Sequence, residues 1–192
     1  MEKIMSAHAT VLPVRLCSPV DPSIRYQSLY TRVIDGATCH LRLVYVADDD
    51  LVFINRCAHG MGAAEAANHK QPYLSIALSG FSQAFILDYN HASMGVAEVH
   101  QAPYWAEEEW EYKTGDYLVR FFWSEEVAVP QQGTLITFFA GYCHLFPEVK
   151  RLVAAVYEEE PGEAFTAAGF TPVQAPRRTT VKYYVHALEG PA

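Results

Sequence analysis

The sequence predicts an α/β fold built on a mixed, mostly antiparallel sheet flanked by helices. Three observations lead there. Residues 83–89 and 95–100 are strand-like runs joined by Asn90-His91-Ala92-Ser93, a turn composition that predicts an antiparallel hairpin. Tyr117-Leu118-Val119-Arg120-Phe121-Phe122-Trp123 is the most continuously apolar strand candidate, the pattern of a central strand covered on both faces. A stretch of helical length, residues 134–146, then leads through Pro147 to the strand-like residues 152–157, so that strand, helix and parallel strand form a βαβ unit.

The remaining elements follow from local composition. Residues 11–16 and 24–34 place β-branched and aromatic side chains between Pro, Asp and Gly and are expected as strands, and residues 40–46 alternate as a third. Asp48-Asp49-Asp50 precedes residues 51–56, where acidic side chains suit the positive end of a helix that Gly60 and Gly62 interrupt. Residues 63–69 are Ala-rich and helix-permissive; Pro72 opens a short helix that reaches Leu78 and stops at Gly80. Residues 103–115 form an acidic, aromatic loop. Thr134 is the expected cap of the long helix and Pro147 its end. A Glu-rich turn, a short helix ending in Ala167-Ala168-Gly169-Phe170 and a closing strand, residues 180–186, follow.

At 192 residues, 51% hydrophobic and 19% charged, the chain can bury one sizeable core, and a single domain over residues 1–192 is expected. A net charge of -8 with no run of Lys and Arg argues against nucleic-acid or anionic-membrane partners. Cys17, Cys39, Cys57 and Cys143 are widely spaced with no Cys-x-x-Cys pair, which predicts reduced, mostly buried thiols. The histidines are scattered without a ligand spacing, so no metal is expected. Residues 1–10 lack a leader-like apolar core, and no apolar run reaches the roughly 20 residues that span a bilayer. A cytoplasmic, soluble protein is therefore expected. Ser79-Gly80 lacks the glycines of a nucleophile elbow and no Walker-type lysine is present, which excludes serine-hydrolase and kinase classes.

The order of central strand, long helix, parallel strand, short helix, Ala168-Gly169-Phe170 and closing strand resembles the C-terminal half of the GCN5-related N-acyltransferases (GNAT). Within that superfamily, Gly95-Val96-Ala97-Glu98-Val99-His100-Gln101-Ala102 is similar to the hallmark strand of the hydroxylysine and hydroxyornithine acyltransferases of siderophore assembly, with Glu98 in register. The likeness spans roughly Leu51 to Leu188. It implies a GNAT-like twisted sheet flanked by helices, acyl-CoA as co-substrate, and a groove for it between the strands at residues 118–123 and 152–157. It also implies a small-molecule amine or hydroxylamine as acceptor, with a homodimer allowed for. The start of the βαβ helix suits phosphate, and the resemblance assigns Gln131, Gln132, Gly133 and Thr134 to the pyrophosphate and Phe122 and Trp123 to the cofactor groove.

The chain departs from the family at several positions. Arg120 or Phe121 falls where relatives carry His, and Tyr157-Glu158-Glu159-Glu160 falls where they carry an aspartate and Arg-Asn. Residues 129–135 contain one glycine and no basic residue where the family pattern is Arg or Gln, two residues, Gly, one residue, then Gly or Ala. Phe165 stands where many relatives have a tyrosine.

Acyl transfer from a thioester needs an amine held near attack, a site for the developing oxyanion and a proton for the thiolate, none of which demands a strong base. Tyr157 is the expected proton donor. Glu98 is expected to hold a cationic substrate end, and His100, two residues along the same strand face, to pair with it in acid–base work. Each has an ordinary structural alternative: a core-edge aromatic, a surface glutamate and a His paired with a neighbouring carboxylate. The runs Glu107-Glu108-Glu109 and Glu158-Glu159-Glu160 suit solvated faces. The alternative to an N-acyltransferase is a degenerate, non-catalytic GNAT-fold binding or partner protein, or a different reaction in the same cleft.

Overall fold

The computed structural model describes residues 15–19, 27–45, 48–59, 71–102, 110–157, 162–174 and 181–188. β1 (Ser28–Ile34) and β2 (Ala37–Leu43) form a hairpin whose turn residues, Asp35 and Gly36, have φ of 50° and 82°, the left-handed geometry that two-residue hairpins favour. Helices α1 (Asp48–His59) and α2 (Gln71–Leu78) follow. β3 (Ser82–Tyr89) and β4 (Ala92–Gln101) form the second hairpin, and β5 (Asp116–Trp123) leads into α3 (Val129–Cys143). The chain continues through β6 (Arg151–Tyr157), α4 (Glu163–Ala167), β7 (Thr171–Val173) and β8 (Val181–Ala187).

One eight-stranded sheet has the order β1-β2-β3-β4-β5-β6-β8-β7. Every neighbouring pair is antiparallel except β5 and β6, which α3 joins as a parallel crossover. The mixed, mostly antiparallel sheet flanked by helices is as the sequence predicts. In β3, Phe85 and Leu87 turn into the core under α3 while Ala84 and Ile86 turn into the core under α1 and α2. Both faces are thus covered, which explains the unbroken apolar run of this strand.

The larger core is aromatic. Phe138, Phe139 and Tyr142 of α3 meet Tyr30, Phe85 and Phe121 of the sheet, with centroids 5.1 Å apart for Tyr30–Phe138 and 5.6 Å for Phe85–Phe139 and Phe121–Phe139. On the other face Asp50, 3% exposed, receives Arg42 through two bonds of 2.9 Å and the Tyr45 N–H at 2.8 Å. Its carboxylate therefore ties α1 to β2 and the segment after it.

Some expectations are corrected. Arg15 and Leu16 are not strand, and residues 11–14 of that expected strand lie outside the described residues, as do residues 24–26 and the helix expected at 63–69. The β3–β4 turn is Asn90-His91 alone, with φ of 49° and 68°, and Ala92 and Ser93 already belong to β4. The long helix begins at Val129 instead of residue 134 and ends at Cys143, before Pro147. Pro130 in the first turn starts it, because its missing N–H has no role there. Thr134 is consequently inside the helix, and its hydroxyl donates back to the Pro130 carbonyl at 3.1 Å. No helix among the described residues is long and apolar enough to cross a membrane.

Candidate active site

The site begins where the parallel strands part. β5 and β6 pair from Asp116 with Arg151 through Val119 with Ala154, and pairing stops there although the strands continue to Trp123 and Tyr157. At the joined end, Arg151 forks onto Asp116 with bonds of 2.7 and 2.6 Å, and Asp116, 1% exposed, also accepts the Lys113 N–H at 2.8 Å.

Backbone direction in the gap follows from strand periodicity. The Ala102 N–H donates to the Asp116 carbonyl and the Ser124 N–H to the Met94 carbonyl, so even-numbered residues of β5 present their backbone groups to β4. Phe121 and Trp123 therefore present theirs to the opposite edge, where β6 no longer pairs. On β6, the Leu188 N–H donates to the Lys150 carbonyl and the Arg151 N–H to Gly115, which turns the backbone groups of Ala155 towards β5. The gap is edged by strand amides, and no strand among the described residues lies between them.

A cleft of about 430 Å³ fills this gap and is lined by Val119 to Trp123, Ala155, Cys57 and Ala58 of α1, Gln132 of α3 and Phe165 of α4. It passes through the plane of the sheet, since its walls come from both helical layers. Phe121 and Trp123 stack in parallel at 5.5 Å, and Phe165 meets Phe121 edge-on at 5.9 Å. Trp123 lies against Gly95 so closely that a Cβ there would come 2.6 Å from the ring. Burial holds the Cys57 thiol up at about 11, against the opposing pull of Arg56. It is protonated at neutral pH and not a nucleophile.

Of the expected cofactor-groove residues, Phe122, Trp123 and Gln132 line the cleft. The start of α3 is arranged differently from a phosphate loop. Ala128 supplies no side-chain cap; the Gln131 Oε1 accepts the Ala128 N–H at 3.0 Å instead. The Gln132 Nε2 donates to the Val127 carbonyl at 3.4 Å. Gly133 is buried against α4, where a Cβ would meet the Ala164 carbonyl oxygen and the Ala167 methyl at 3.4 Å.

Glu98 and His100 share the face of β4 that looks towards α1 and α2, as their spacing requires. Both are buried, Glu98 being 8% and His100 1% exposed. The Tyr73 hydroxyl of α2 donates to the Glu98 carboxylate; burial first, then the Glu98 charge and this bond, push the phenol far above its ordinary range. His100 Nδ1 is 2.9 Å from Ser82 Oγ, and its Nε2 is 3.8 Å from Glu98, beyond hydrogen-bond length. Arg120 faces Glu98 across the β4–β5 ladder. Tyr157 ends β6 beside Val181, and its side chain lies outside the described residues, as do the glutamates of both acidic runs. Cys57, Ala58 and Tyr73 were not foreseen. Their place depends on how α1 and α2 pack on the sheet, which no local sequence pattern encodes.

A mixed sheet in which β5 and β6, the one parallel pair among the described residues, splay over a cleft, with a helix starting beside it, has the GCN5-related N-acyltransferase fold. Comparison with solved structures agrees. Similar folds include an uncharacterized protein from Bacillus halodurans (TM-score 0.66, 11% identity, 82% of this chain and 89% of that chain). They also include the GNAT domain of S. lividans PAT (0.56, 12%, 83% and 96%) and the aminoglycoside acetyltransferase AAC(6')-Ib in complex with coenzyme A (0.59, 18%, 78% and 94%). At these identities the likeness is one of fold. No protein-family model and no curated protein sequence matches the chain.

Proposed function

We propose that residues 1–192 act as one N-acyltransferase domain, moving an acyl group from a coenzyme A thioester to a small-molecule amine. The observation that carries this is the parting of β5 and β6 after Val119 and Ala154. It leaves the backbone amides of Phe121, Trp123 and Ala155 facing a cleft of about 430 Å³, which suits the amide-bearing pantetheine arm of coenzyme A. Solved structures of the same fold with coenzyme A bound support it.

The chemistry asks little of side chains. The uncharged acceptor nitrogen attacks the thioester carbonyl, a C–N bond forms, the C–S bond breaks, and the proton lost by nitrogen ends on the thiolate, with Tyr157 as its carrier. We assign the Phe121 N–H to the carbonyl oxygen as charge gathers there. Glu98, which accepts the Tyr73 hydroxyl and faces Arg120 across the ladder, draws the cationic end of the acceptor to the α1 side, with His100 on the same strand face. Phe122, Trp123 and Gln132 border the donor.

The similarity of Gly95 to Ala102 to the siderophore enzymes favours an N-hydroxylated acceptor, whose nitrogen is uncharged at neutral pH and needs no base. Thiol release from acetyl-, succinyl- and longer acyl-CoA, measured with N-hydroxylysine, N-hydroxyornithine and their parent amines, tests both levels. Acceptor-dependent release supports the enzyme, and preference for the hydroxylated forms supports the siderophore branch. Saturable donor binding without turnover for any acceptor favours the non-catalytic binding protein, and absence of saturable binding overturns the donor site itself.

A further inference from the structure

The donor cleft and the segment that would meet a diphosphate disagree in character. Between β5 and α3 the chain reads Ser124-Glu125-Glu126-Val127-Ala128, with no Lys or Arg from there through Thr134. Glu125 and Glu126 are exposed and line a second cavity of about 250 Å³ together with Ser93, Ser124, Phe53, Cys57 and Arg56. Cys57 lines this cavity and the main cleft alike, so the acidic pair borders a space that adjoins the cleft. Among the described residues, Arg56 is the only basic one lining this second cavity.

Several polar groups at this helix start are engaged from within. The Val127 N–H donates to Ser124, the Ala128 N–H to Gln131, and the Gln131 and Gln132 N–H groups both to the Ala128 carbonyl. Gln132 and Thr134 bond to backbone carbonyls, and Gly133 makes room for α4. Anion binding at a helix start needs free N–H groups and a favourable local charge, and here the Val127, Ala128, Gln131 and Gln132 N–H groups are engaged, Pro130 has none, and the approach is acidic. Residues 124–134 offer a diphosphate no basic side chain, whereas the gap between β5 and β6 presents backbone amides that suit a pantetheine arm.

We infer that this protein recognises its donor through the acyl-pantetheine portion alone, so that the nucleotide of coenzyme A adds nothing to binding. The inference rests on the donor-cleft reading above and specifies the class of donor: a pantetheine thioester, of which acyl-CoA is one form, disfavoured by its phosphates. Repulsion by Glu125 and Glu126 is screened by salt, so acetyl-CoA binding strengthens as ionic strength rises, opposite to the behaviour of a basic phosphate site.

Calorimetric titration with acetyl-CoA and with S-acetylpantetheine, at low and high salt, on the wild type and the Glu125→Gln/Glu126→Gln variant, tests this. Acetyl-CoA is expected to bind about three- to tenfold more weakly than S-acetylpantetheine, and the variant to bring acetyl-CoA to the affinity of S-acetylpantetheine while leaving S-acetylpantetheine unchanged. Acetyl-CoA binding more than about thirtyfold tighter than S-acetylpantetheine, or weakening with salt, overturns the inference and leaves the acyltransferase reading standing. Binding of neither ligand removes both.

Discussion

Val119 of β5 and Ala154 of β6 are the last residues joined across the parallel pair, and the strands part immediately beyond them. The joined end is held by Asp116 and Arg151, so one ion pair sits at the hinge of the cleft. Removing the arginine leaves the Asp116 carboxylate buried with its Lys113 N–H contact alone. Arg151→Ala is expected to lower unfolding free energy by about 2 to 3 kcal/mol, measured by urea denaturation, whereas Arg151→Lys restores part of the loss.

Gly95 and Trp123 are packed so tightly that no side chain fits between them. Gly95→Ala pushes the indole from its stack on Phe121 and narrows the cleft. A loss of about 1 to 3 kcal/mol is expected from overpacking, with a shift in tryptophan emission as the second readout. Unchanged emission and stability would mean that Trp123 is not held there.

Gly133 separates a packing role from a phosphate role. A methyl group at this position makes ordinary contact with α4 and removes the helix penalty of glycine, so Gly133→Ala is expected to be neutral or to stabilise by up to about 1 kcal/mol and to leave donor affinity unchanged. Gly133→Val presses on Ala164 and Ala167 and destabilises. A large loss of donor affinity in the alanine variant, with the fold intact, would restore the phosphate role.

The Cys57 thiol sits at about 11 in the fold against an ordinary 9.0. Because the folded-state value is raised, the associated stability is fully present below about pH 9 and is lost as pH climbs towards 11. Thermal melting of the wild type is expected to fall over that window, and less in Cys57→Ala. Alkylation of Cys57 in the native protein accelerates about tenfold per pH unit between 8 and 10. Fast labelling at pH 7 would contradict the burial.

The core strands and the βαβ crossover were legible in the sequence because β3, β4, β5, β6 and β8 carry apolar runs or alternation bounded by turn residues. β7, Thr171–Val173, is short and exposed and has no such pattern. The start of α3 differs from the sequence expectation because Pro130, the stronger signal at a first turn, outranks Thr134 as a cap. At the site, Phe122, Trp123 and Gln132 were within reach of sequence reading because they flank one strand-to-helix junction. Gly133 carried the composition of a phosphate glycine, yet the space it opens belongs to α4. Cys57 and Ala58 arrive at the cleft only through packing of α1 on the sheet.

The measurement that bears most directly on the donor cleft is titration of the wild type and Ala155→Phe with acetyl-CoA. Ala155 lines the gap beyond the last bonded pair, so a phenyl ring there takes the volume assigned to the pantetheine arm. Saturable one-to-one binding in the wild type, weakened at least about thirtyfold in the variant with circular dichroism unchanged, is the expected result, equivalent to about 2 kcal/mol. Equal binding by both proteins, or no saturable binding by the wild type, would contradict the assignment of the split between β5 and β6 as the donor site.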